Sequence, residues 1–416
     1  MKHRIFRRLF SKKPYKKQLL TDFKFQSSYF AQNMNSLISN SPISNLSNNG
    51  SVARTSSIRE QNNETVQQLT KFANYDKDPF SLIDNDLEFI KSIIFEKIIN
   101  TNYELLKEIS EYNLKLKGKN FRSCIIMLLS RALFESSEEA HHKNFEDTSY
   151  YYTSALLSAC VEICHNATLL QDDIIDKAET RRSETAAYKV FGRSNSVFAS
   201  NFLISRASHY LSTLETPYLS QIFSTMIYNL VFGELIQARN YEDDETMKEA
   251  VESYISKTYY KTASLMSLAC RGVGIIHNYN EEKQMTAFNF GAHFGIAFQI
   301  ADDVLDFTQS SENLGKPAFN DLKSGLVTAP TILAYSETKS DELEQMMKRK
   351  FKHEGDIDNT LRIIDQSTGI DNSERLALMH VQDSITSLSA LVENNTESES
   401  FKSLVKLALK VKTRKY

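Results

Sequence analysis

The chain of 416 residues is 41% hydrophobic and has a net charge of -3, so it holds enough apolar material for a large core. No apolar run reaches the roughly 18 residues that cross a bilayer, and we expect at most peripheral membrane association. The excess of positive over negative charge is confined to the N-terminal region, and the acidic balance of the rest argues against a nucleic-acid partner.

The first 59 residues are strongly basic, with eleven Lys or Arg residues and a single acid, Asp22. In residues 1–25, apolar side chains such as Phe6 and Leu9 are interspersed with arginine and lysine. This composition predicts a mitochondrial transit peptide, since a secretory signal needs a continuous apolar core. A basic tail that binds anionic lipid is the alternative. Residues 26–77 are rich in Ser, Asn and Gln and bury too little apolar surface to offset their ordering entropy, which predicts a disordered spacer.

Residues 78–416 carry a helical pattern, in which apolar residues recur three and four positions apart from Ile83 onward. Glycine and proline are scarce, with 12 and 6 residues, and neither strand signals nor a glycine-rich nucleotide loop are visible. We therefore predict one all-α domain, a single large helical bundle. The four cysteines lie in apolar segments without metal-ligand spacing and should be reduced core residues.

An acidic motif occurs twice, as DDIID at Asp172–Asp176 and as DDVLD at Asp302–Asp306. Each copy follows an apolar helical stretch, where a charge is costly unless something pairs with it. Carboxylates at positions i and i+4 share a helix face, and an incomplete set of oxygen ligands suits Mg²⁺, which shares phosphate oxygens. Two facing motifs would hold a diphosphate through metal ions. The alternative is a pair of solvated acidic helix ends.

Basic residues near these motifs could bind phosphate. Arg181 and Arg182 closely follow the first motif, and arginine has a planar fork that matches phosphate oxygens; an ordinary ion-pair network is the alternative. Upstream, GKNFR puts Lys119 and Arg122 at the entrance to an apolar helix that we expect to begin near Cys124. A helix N-terminus with two added cations is an anion site, or simply a basic helix start.

Further polar residues interrupt apolar helices. His165 lies nearly two turns before the first motif, where a satisfied core histidine is the common alternative. Lys261 and Thr262 enter another apolar helix, and Gln299 precedes the second motif by three residues. The segment Gly315–Gly325 predicts a mobile loop that could bring Lys316 over bound phosphate.

These segments together resemble the trans-isoprenyl (polyprenyl) diphosphate synthases. The match runs in order from GKNFR through HNATLLQDDIIDKAETRR, GELIQ, KTYYKTASL and FQIADDVLDF to GKPAFNDLKSGLVTAP, over about residues 80–340. With these motifs and the basic leader, the chain is similar to the mitochondrial long-chain members of the family that make the ubiquinone side chain in fungi.

The resemblance implies an isoprenoid synthase fold around a central cavity. It implies an Mg²⁺-dependent condensation of isopentenyl diphosphate with an allylic prenyl diphosphate, by a homodimer in the mitochondrial matrix or on the matrix side of the inner membrane. The implied metal ligands are Asp172, Asp173, Asp176, Asp302, Asp303 and Asp306. The implied isopentenyl diphosphate ligands are Lys119, Arg122, His165 and Arg182. The implied allylic-substrate ligands are Arg181, Lys261, Thr262, Gln299 and Lys316.

Product length is expected to depend on Ala167 and Thr168, about one helical turn before the first motif. In the family the growing chain descends along this face, and a small residue leaves the path open; alternatively, small residues only let two helices approach closely. Three positions depart from the family pattern: Ser123 replaces a proline that we expect at the first helical position, Ser183 replaces a glycine, and Ser200-Asn201 replaces Gly-Asp.

Three other functions remain open. A non-catalytic partner subunit would usually lose an acidic motif, and both are intact here. A terpene cyclase would not need the Lys119 and Arg122 site for a second diphosphate. A short-chain synthase, making farnesyl or geranylgeranyl products, shares the same motifs.

Overall fold

The computed structural model describes residues 75–115, 120–182, 184–214, 216–238, 247–308, 319–393 and 395–411. The predicted transit peptide, residues 26–74 of the predicted spacer, and three singled-out residues (Lys119, Ser183 and Lys316) lie outside the described residues. The described helices run from residue 81 to residue 410, so the domain boundaries stay a prediction.

The described chain is almost entirely helical, as the sequence predicts. Its α-helices, in chain order, are α1 (Asp84–Ser92), α2 (Glu104–Lys115), α3 (Phe121–Glu135), α4 (Ser149–Ile175), α5 (Ala187–Phe191), α6 (Arg193–Ser212), α7 (Pro217–Ala238), α8 (Met247–Thr258), α9 (Ser264–Ile276), α10 (Glu281–Thr308), α11 (Asn320–Lys323), α12 (Ala329–Thr338), α13 (Asp341–Lys348), α14 (Asp356–Asp365), α15 (Gly369–Val392) and α16 (Glu399–Lys410). Short 3₁₀ turns occupy Ser81–Ile83, Glu138–His141 and Phe145–Asp147, and π-helical turns occupy Ile93–Ile98 and Tyr259–Ala263.

A small antiparallel ribbon was not predicted from the sequence. It consists of β1 (Thr180–Arg181) and β2 (Glu184–Thr185), in which Thr180 pairs with Thr185. Two residues per strand are too few to leave a periodic signal, which explains why the pattern gave no strand. The ribbon fixes the backbone just after the first acidic motif.

Two long helices form the centre of the bundle, α4 with 27 residues and α10 with 28 residues. Each is about 40 Å long and is apolar around most of its circumference, so it is buried rather than amphipathic. The Thr148 hydroxyl caps α4 by accepting a hydrogen bond from the Tyr151 N–H at 3.4 Å. Helix α9 packs against both α4 and α10.

Close packing of α10 against the second π-helical turn requires a glycine on α10. A Cβ at Gly295 would lie 2.6 Å from the Cα of Ala263, at the end of the second π-helical turn. On its other side α10 packs along α15, where the Ser384 hydroxyl donates a hydrogen bond to the Phe290 carbonyl at 3.1 Å. The four cysteines are free and buried, as the sequence predicts.

Helix α7 departs from the expectation that no segment is apolar enough to span a bilayer. Over residues 217–236 it is the one helix among the described residues with the required length and composition. Core residues such as Phe223 and Met226 bury one side of it, whereas Tyr228, Val231 and Leu235 are exposed. It is therefore a core helix with one exposed apolar stripe.

Candidate active site

The two acidic motifs lie at the C-terminal ends of the two central helices. Asp172 and Asp173 are in the last turn of α4, and Asp176 is the residue that ends it. Asp302, Asp303 and Asp306 are in the last two turns of α10. Asp173, Asp303 and Asp306 are buried, and Asp172 is half-buried. Apolar helices thus bring these carboxylates to positions where charge needs compensation.

A π-helical turn contacts both α7 and α10, the helix that carries the second motif. In the turn Tyr259–Ala263, the Thr262 hydroxyl donates a hydrogen bond to Gln299 Oε1 at 2.8 Å, and Gln299 Nε2 donates to Asp303 Oδ1 at 2.8 Å. The neighbouring Lys261 Nζ lies 2.8 Å from Glu234 Oε1. π-Helical turns often occur at functional sites, and here the adjacent Lys261 and Thr262 side chains contact Glu234 and Gln299, respectively.

The charges of Lys261 and Glu234 change the pKa of Asp172 in the first motif. Burial raises the pKa of Asp172 to about 7, with repulsion from Glu234 adding to the effect and Lys261 opposing it. These long-range effects require that Glu234 and Lys261 lie close to Asp172, so α4, α7 and the π-helical turn meet at one place. Asp176 also raises the Asp172 pKa, as like charges do.

Gly233 brings Glu234 to this position. A Cβ on Gly233 would lie 2.8 Å from the Lys261 backbone nitrogen, so only glycine allows α7 to approach the turn so closely. The GELIQ segment, noted in the sequence only as part of the family match, therefore has a steric reason for its glycine.

The second motif is held by groups from two other elements. The Tyr254 hydroxyl on α8 donates a hydrogen bond to Asp303 Oδ2 at 2.7 Å. The Asp321 N–H, at the start of α11, donates to Asp306 Oδ2 at 3.0 Å. Burial raises the pKa of Asp303 to about 7, while the nearby Lys257 opposes that rise.

The arginine pair after the first motif occupies the ribbon. Arg181 Nε donates to Asp173 Oδ1 at 2.9 Å, and a second guanidinium nitrogen of Arg181 contacts the same oxygen. Arg182 follows in a left-handed conformation with φ 51°, which turns the chain between the strands. Arg181, proposed from the resemblance as an allylic-substrate ligand, thus has a carboxylate partner in this structure.

His165 lies among three arginines. Burial and the charges of Arg122, Arg182 and Arg181 hold its pKa well below the ordinary value of a histidine, so the ring is neutral at pH 7. Such a concentration of positive charge around a neutral donor is typical of an anion site. The grouping joins residues from α3, α4 and the ribbon that are far apart in sequence.

Helix α3 begins earlier than the sequence predicts. Its first residue is Phe121, so Ser123 is the third helical residue and not the first. The Ser123 N–H and hydroxyl both donate to Glu162 Oε1, at 3.3 and 3.2 Å. A proline here would lose the first of these bonds; the serine therefore gives α3 a different anchor on α4.

The two proposed product-length residues face different surroundings. Ala167 is fully buried, and its carbonyl accepts a hydrogen bond from the Ser200 hydroxyl of α6 at 2.8 Å. Thr168 is half-buried, and its hydroxyl donates to the His165 carbonyl at 2.9 Å. The departure at Ser200 thus contributes a contact at the interface between α4 and α6.

Three functional candidates were not singled out from the sequence: Glu234, Tyr254 and Asp321. The position of Glu234 in GELIQ and that of Asp321 in the loop segment were visible signals, since both lie in the matched motifs. Tyr254 had no such signal, because its partner Asp303 is distant in sequence and the contact exists only in the folded chain.

The donor set fits a hard divalent cation. All six motif side chains offer carboxylate oxygen, which suits Mg²⁺ or Ca²⁺ and not softer metals. Burial raises the pKa values of Asp172 and Asp303 because it penalises the charged carboxylates. A bound divalent cation would stabilise the charged forms.

The sequence matches the polyprenyl synthetase family over residues 103–364. It is 30% identical to the probable mitochondrial hexaprenyl pyrophosphate synthase of Yarrowia lipolytica, in an alignment covering 84% of this chain and 88% of that protein. It is 32% identical to decaprenyl-diphosphate synthase subunit 1 of Schizosaccharomyces pombe, covering 83% and 94%. The crystal structure of a Caulobacter crescentus polyprenyl synthase, complexed with calcium and isoprenyl diphosphate, has a TM-score of 0.69 at 24% identity and covers 81% of this chain and 97% of that one.

The chain therefore belongs to the polyprenyl synthetase family. It is a prenyltransferase, and the predictions of an all-α isoprenoid synthase fold and of this family are confirmed.

Proposed function

We propose that this prenyltransferase condenses isopentenyl diphosphate with an allylic prenyl diphosphate, in the presence of Mg²⁺, to make a long all-trans polyprenyl diphosphate. One observation carries the proposal. Two carboxylate motifs flank the Lys261–Thr262 turn, while Arg122, Arg181 and Arg182 lie around His165 on the helix that carries the first motif. The first arrangement suits a metal-bound diphosphate and the second suits a diphosphate held by protein cations.

In this proposal the allylic diphosphate binds between the motifs. The metal ligands would be Asp172, Asp173, Asp176, Asp302, Asp303 and Asp306. The direct ligands would be Arg181, Lys261, Thr262, Gln299 and Lys316. Magnesium, when bound, would offset the diphosphate charge and stabilise the leaving group. Lys261 and Arg181 supply positive charge on the protein side, and each already has a carboxylate partner that orients it.

The isopentenyl diphosphate would bind Lys119, Arg122, His165 and Arg182. The depressed pKa of His165 supports a role as a neutral hydrogen-bond donor, because a fourth cation beside three arginines would be repelled. The two arginines carry the charge compensation, in the bidentate geometry that guanidinium groups offer to phosphate.

The reaction then follows from the positions of the two substrates. The allylic carbon–oxygen bond breaks, and diphosphate leaves as the isopentenyl double bond attacks the allylic cation. A proton is lost, and the product is five carbons longer. The apolar helices around the motifs exclude water, which would otherwise capture the cation.

A second copy of the chain is the partner that we propose for the exposed stripe on α7. Tyr228, Val231 and Leu235 are about half exposed at helical spacing, and Phe198 on the neighbouring α6 is 61% exposed. An apolar stripe of this kind marks a contact surface. The Schizosaccharomyces pombe relative is named as one subunit, so a heteromer is the alternative. The molecular mass of the purified chain in solution, alone and with a partner, distinguishes a heteromer from a homodimer.

We also propose a mitochondrial location and a role in making the ubiquinone side chain. The names of the Yarrowia lipolytica and Neurospora crassa relatives, both probable mitochondrial hexaprenyl pyrophosphate synthases, support this, as does the basic composition of residues 1–25. Deleting residues 1–60 should abolish mitochondrial import and leave catalysis intact in vitro. Unchanged import would contradict the targeting role.

The test of function is incubation of the purified chain with Mg²⁺, farnesyl diphosphate and labelled isopentenyl diphosphate. Chromatography against prenyl-alcohol standards should show a labelled product longer than C20. A product that stops at C15–C20 would indicate a short-chain synthase, and a cyclic hydrocarbon would indicate a cyclase. No turnover by the folded chain alone would indicate a partner subunit. A matched sample that contains EDTA and no added Mg²⁺ should form no labelled product.

A further inference from the structure

A second group of metal-ligating side chains lies where α10 packs against α15, outside the site described above. It consists of His293 on α10 with His380 and Asp383 on α15. Each offers one ligand atom, and among the described residues these three atoms lie within 4.8 Å of one another. His293 Nδ1 is 2.9 Å from His380 Nδ1 and 3.7 Å from Asp383 Oδ2.

The two imidazoles share one N–H···N hydrogen bond, in which one Nδ1 donates and the other accepts. Burial lowers the pKa of His293 to about 4 and that of His380 to about 3, so both rings are neutral at pH 7. His380 is 2% exposed, and within the described part of the chain its Nε2 has no hydrogen-bond partner. Asp383 Oδ2 is too far from His293 Nδ1 to accept a hydrogen bond. The carboxylate therefore does not act as the usual orienting partner of a buried histidine.

The same spacing suits a metal ion. Ligand atoms about 2.0–2.1 Å from a tetrahedral Zn²⁺ are about 3.3 Å from one another, between the two distances measured here. His380 and Asp383 are three residues apart and share one face of α15. The Asp383 side chain is 61% exposed, which gives an entry route from solvent and room for water as a further ligand.

The group is separate from the acidic motifs. His293 precedes Gln299 by six residues, which places the two about 9 Å apart along α10 and about a third of a turn apart around its axis. Its donors also differ in kind. Two imidazole nitrogens with one carboxylate favour Zn²⁺ or a similar transition metal, whereas the oxygen-only motifs favour Mg²⁺.

We propose that His293, His380 and Asp383 bind one divalent transition-metal ion and that this ion links α15 to α10. The ligand types favour Zn²⁺. Binding through both Nδ1 atoms puts the ring protons on the Nε2 atoms. Because neither ring is protonated at neutral pH, binding does not have to displace an imidazolium proton. A ligand that binds only the folded chain also stabilises it against unfolding.

The test is a Zn²⁺ titration of the full chain by calorimetry, after EDTA treatment and dialysis. Saturating Mg²⁺ is present so that the acidic motifs do not contribute. We expect one Zn²⁺ per chain and a rise in Tm. The His293→Gln and Asp383→Asn variants should each bind Zn²⁺ at least about tenfold more weakly and lose the rise in Tm. His209→Gln, at an exposed position on α6, is the matched control and should behave as the wild type.

Circular dichroism and prenyl transfer in Mg²⁺ show whether the variants are folded, since neither residue is placed in the active site. Co²⁺ added to the wild type gives an independent readout, because a site with two nitrogen ligands and low symmetry should show strong visible absorption. Absence of Zn²⁺ binding at micromolar concentration, or undiminished binding by a folded His293→Gln/Asp383→Asn double variant, would overturn the proposal.

Discussion

Glu234 Oε1 lies 2.8 Å from Lys261 Nζ, and this ion pair joins α7 to the π-helical turn between the two acidic motifs. The Glu234 side chain is about three-quarters buried, so the two opposite charges attract in a medium where charge is poorly screened. The same carboxylate raises the pKa of Asp172. Glu234 thus orients Lys261 from one side while it repels the first motif from the other.

Glu234→Gln should weaken allylic substrate binding. Glutamine keeps the side-chain length but removes the charge that holds Lys261 in place, so Lys261 should lose its fixed position. We expect kcat/KM for farnesyl diphosphate to fall about tenfold, which corresponds to about 1.4 kcal/mol. The KM for isopentenyl diphosphate should change little. Glu179→Gln, at an exposed ion pair with Lys189, is the control. Equal effects on both KM values would argue against a specific role in orienting Lys261.

Gly233→Ala should disturb the site through the backbone. The new Cβ would lie 2.8 Å from the Lys261 nitrogen, so α7 and the turn must separate. We expect a loss of about 1–3 kcal/mol in the free energy of unfolding, together with lower activity. Ser224→Ala, at an exposed position of the same helix, should be near neutral in both measurements. Wild-type stability and activity in Gly233→Ala would show that the close approach is not required.

The contribution of four histidines to stability should decrease as the pH falls below about 6.5, because burial holds His165, His277, His293 and His380 neutral. The raised pKa values of Asp172 and Asp303 act in the opposite direction. Burial lowers the pKa of His277 and of His293 to about 4, and that of His380 to about 3. Their stabilising contribution is complete above the unfolded pKa of about 6.5 and is lost as the pH falls towards these folded values, at up to about 1.4 kcal/mol per pH unit for each histidine.

Urea unfolding between pH 7.5 and pH 5, with EDTA present, measures this slope. His277→Gln should reduce it by about one proton, whereas exposed His209→Gln should leave it unchanged. A slope that is the same in His277→Gln and in the wild type would contradict the assignment of His277 as a neutral buried group.

Ala167→Phe separates two explanations of a small residue near the first motif. If the growing chain passes this position, the larger side chain should stop elongation near C15–C20 without touching a diphosphate ligand. The contact between the Ala167 carbonyl and Ser200 favours the other explanation, in which α6 packs closely here. In that case the variant should lose about 1–3 kcal/mol of stability and keep its product length. Product chromatography and Tm on the same variant distinguish the two.

The parts of the fold and site that the sequence predicts are those with a local signal. Helical periodicity predicts the bundle, and each acidic motif is readable because charge interrupts an apolar run. The start of α3 at Phe121 was missed, since its first turn contains Arg122 and Ser123 and looks polar. The hydrogen bond from Tyr254 to Asp303 could not be predicted, because it depends on how distant elements pack. The ion pair between Arg181 and Asp173 was one of two alternatives that the sequence left open for this arginine.

We expect the two acidic motifs to bind metal and diphosphate together. Asp172→Asn and Asp302→Asn should each lower the rate of prenyl transfer at saturating Mg²⁺ by at least about a thousandfold, equivalent to several kcal/mol of lost transition-state stabilisation. Circular dichroism should remain that of the wild type, and Asp147→Asn, at an exposed position before α4, should keep full activity. The measurement is the initial rate of labelled isopentenyl diphosphate incorporation as a function of Mg²⁺ concentration. We predict that neither motif variant recovers at any Mg²⁺ concentration; a near-wild-type rate in either one would contradict metal binding by both motifs.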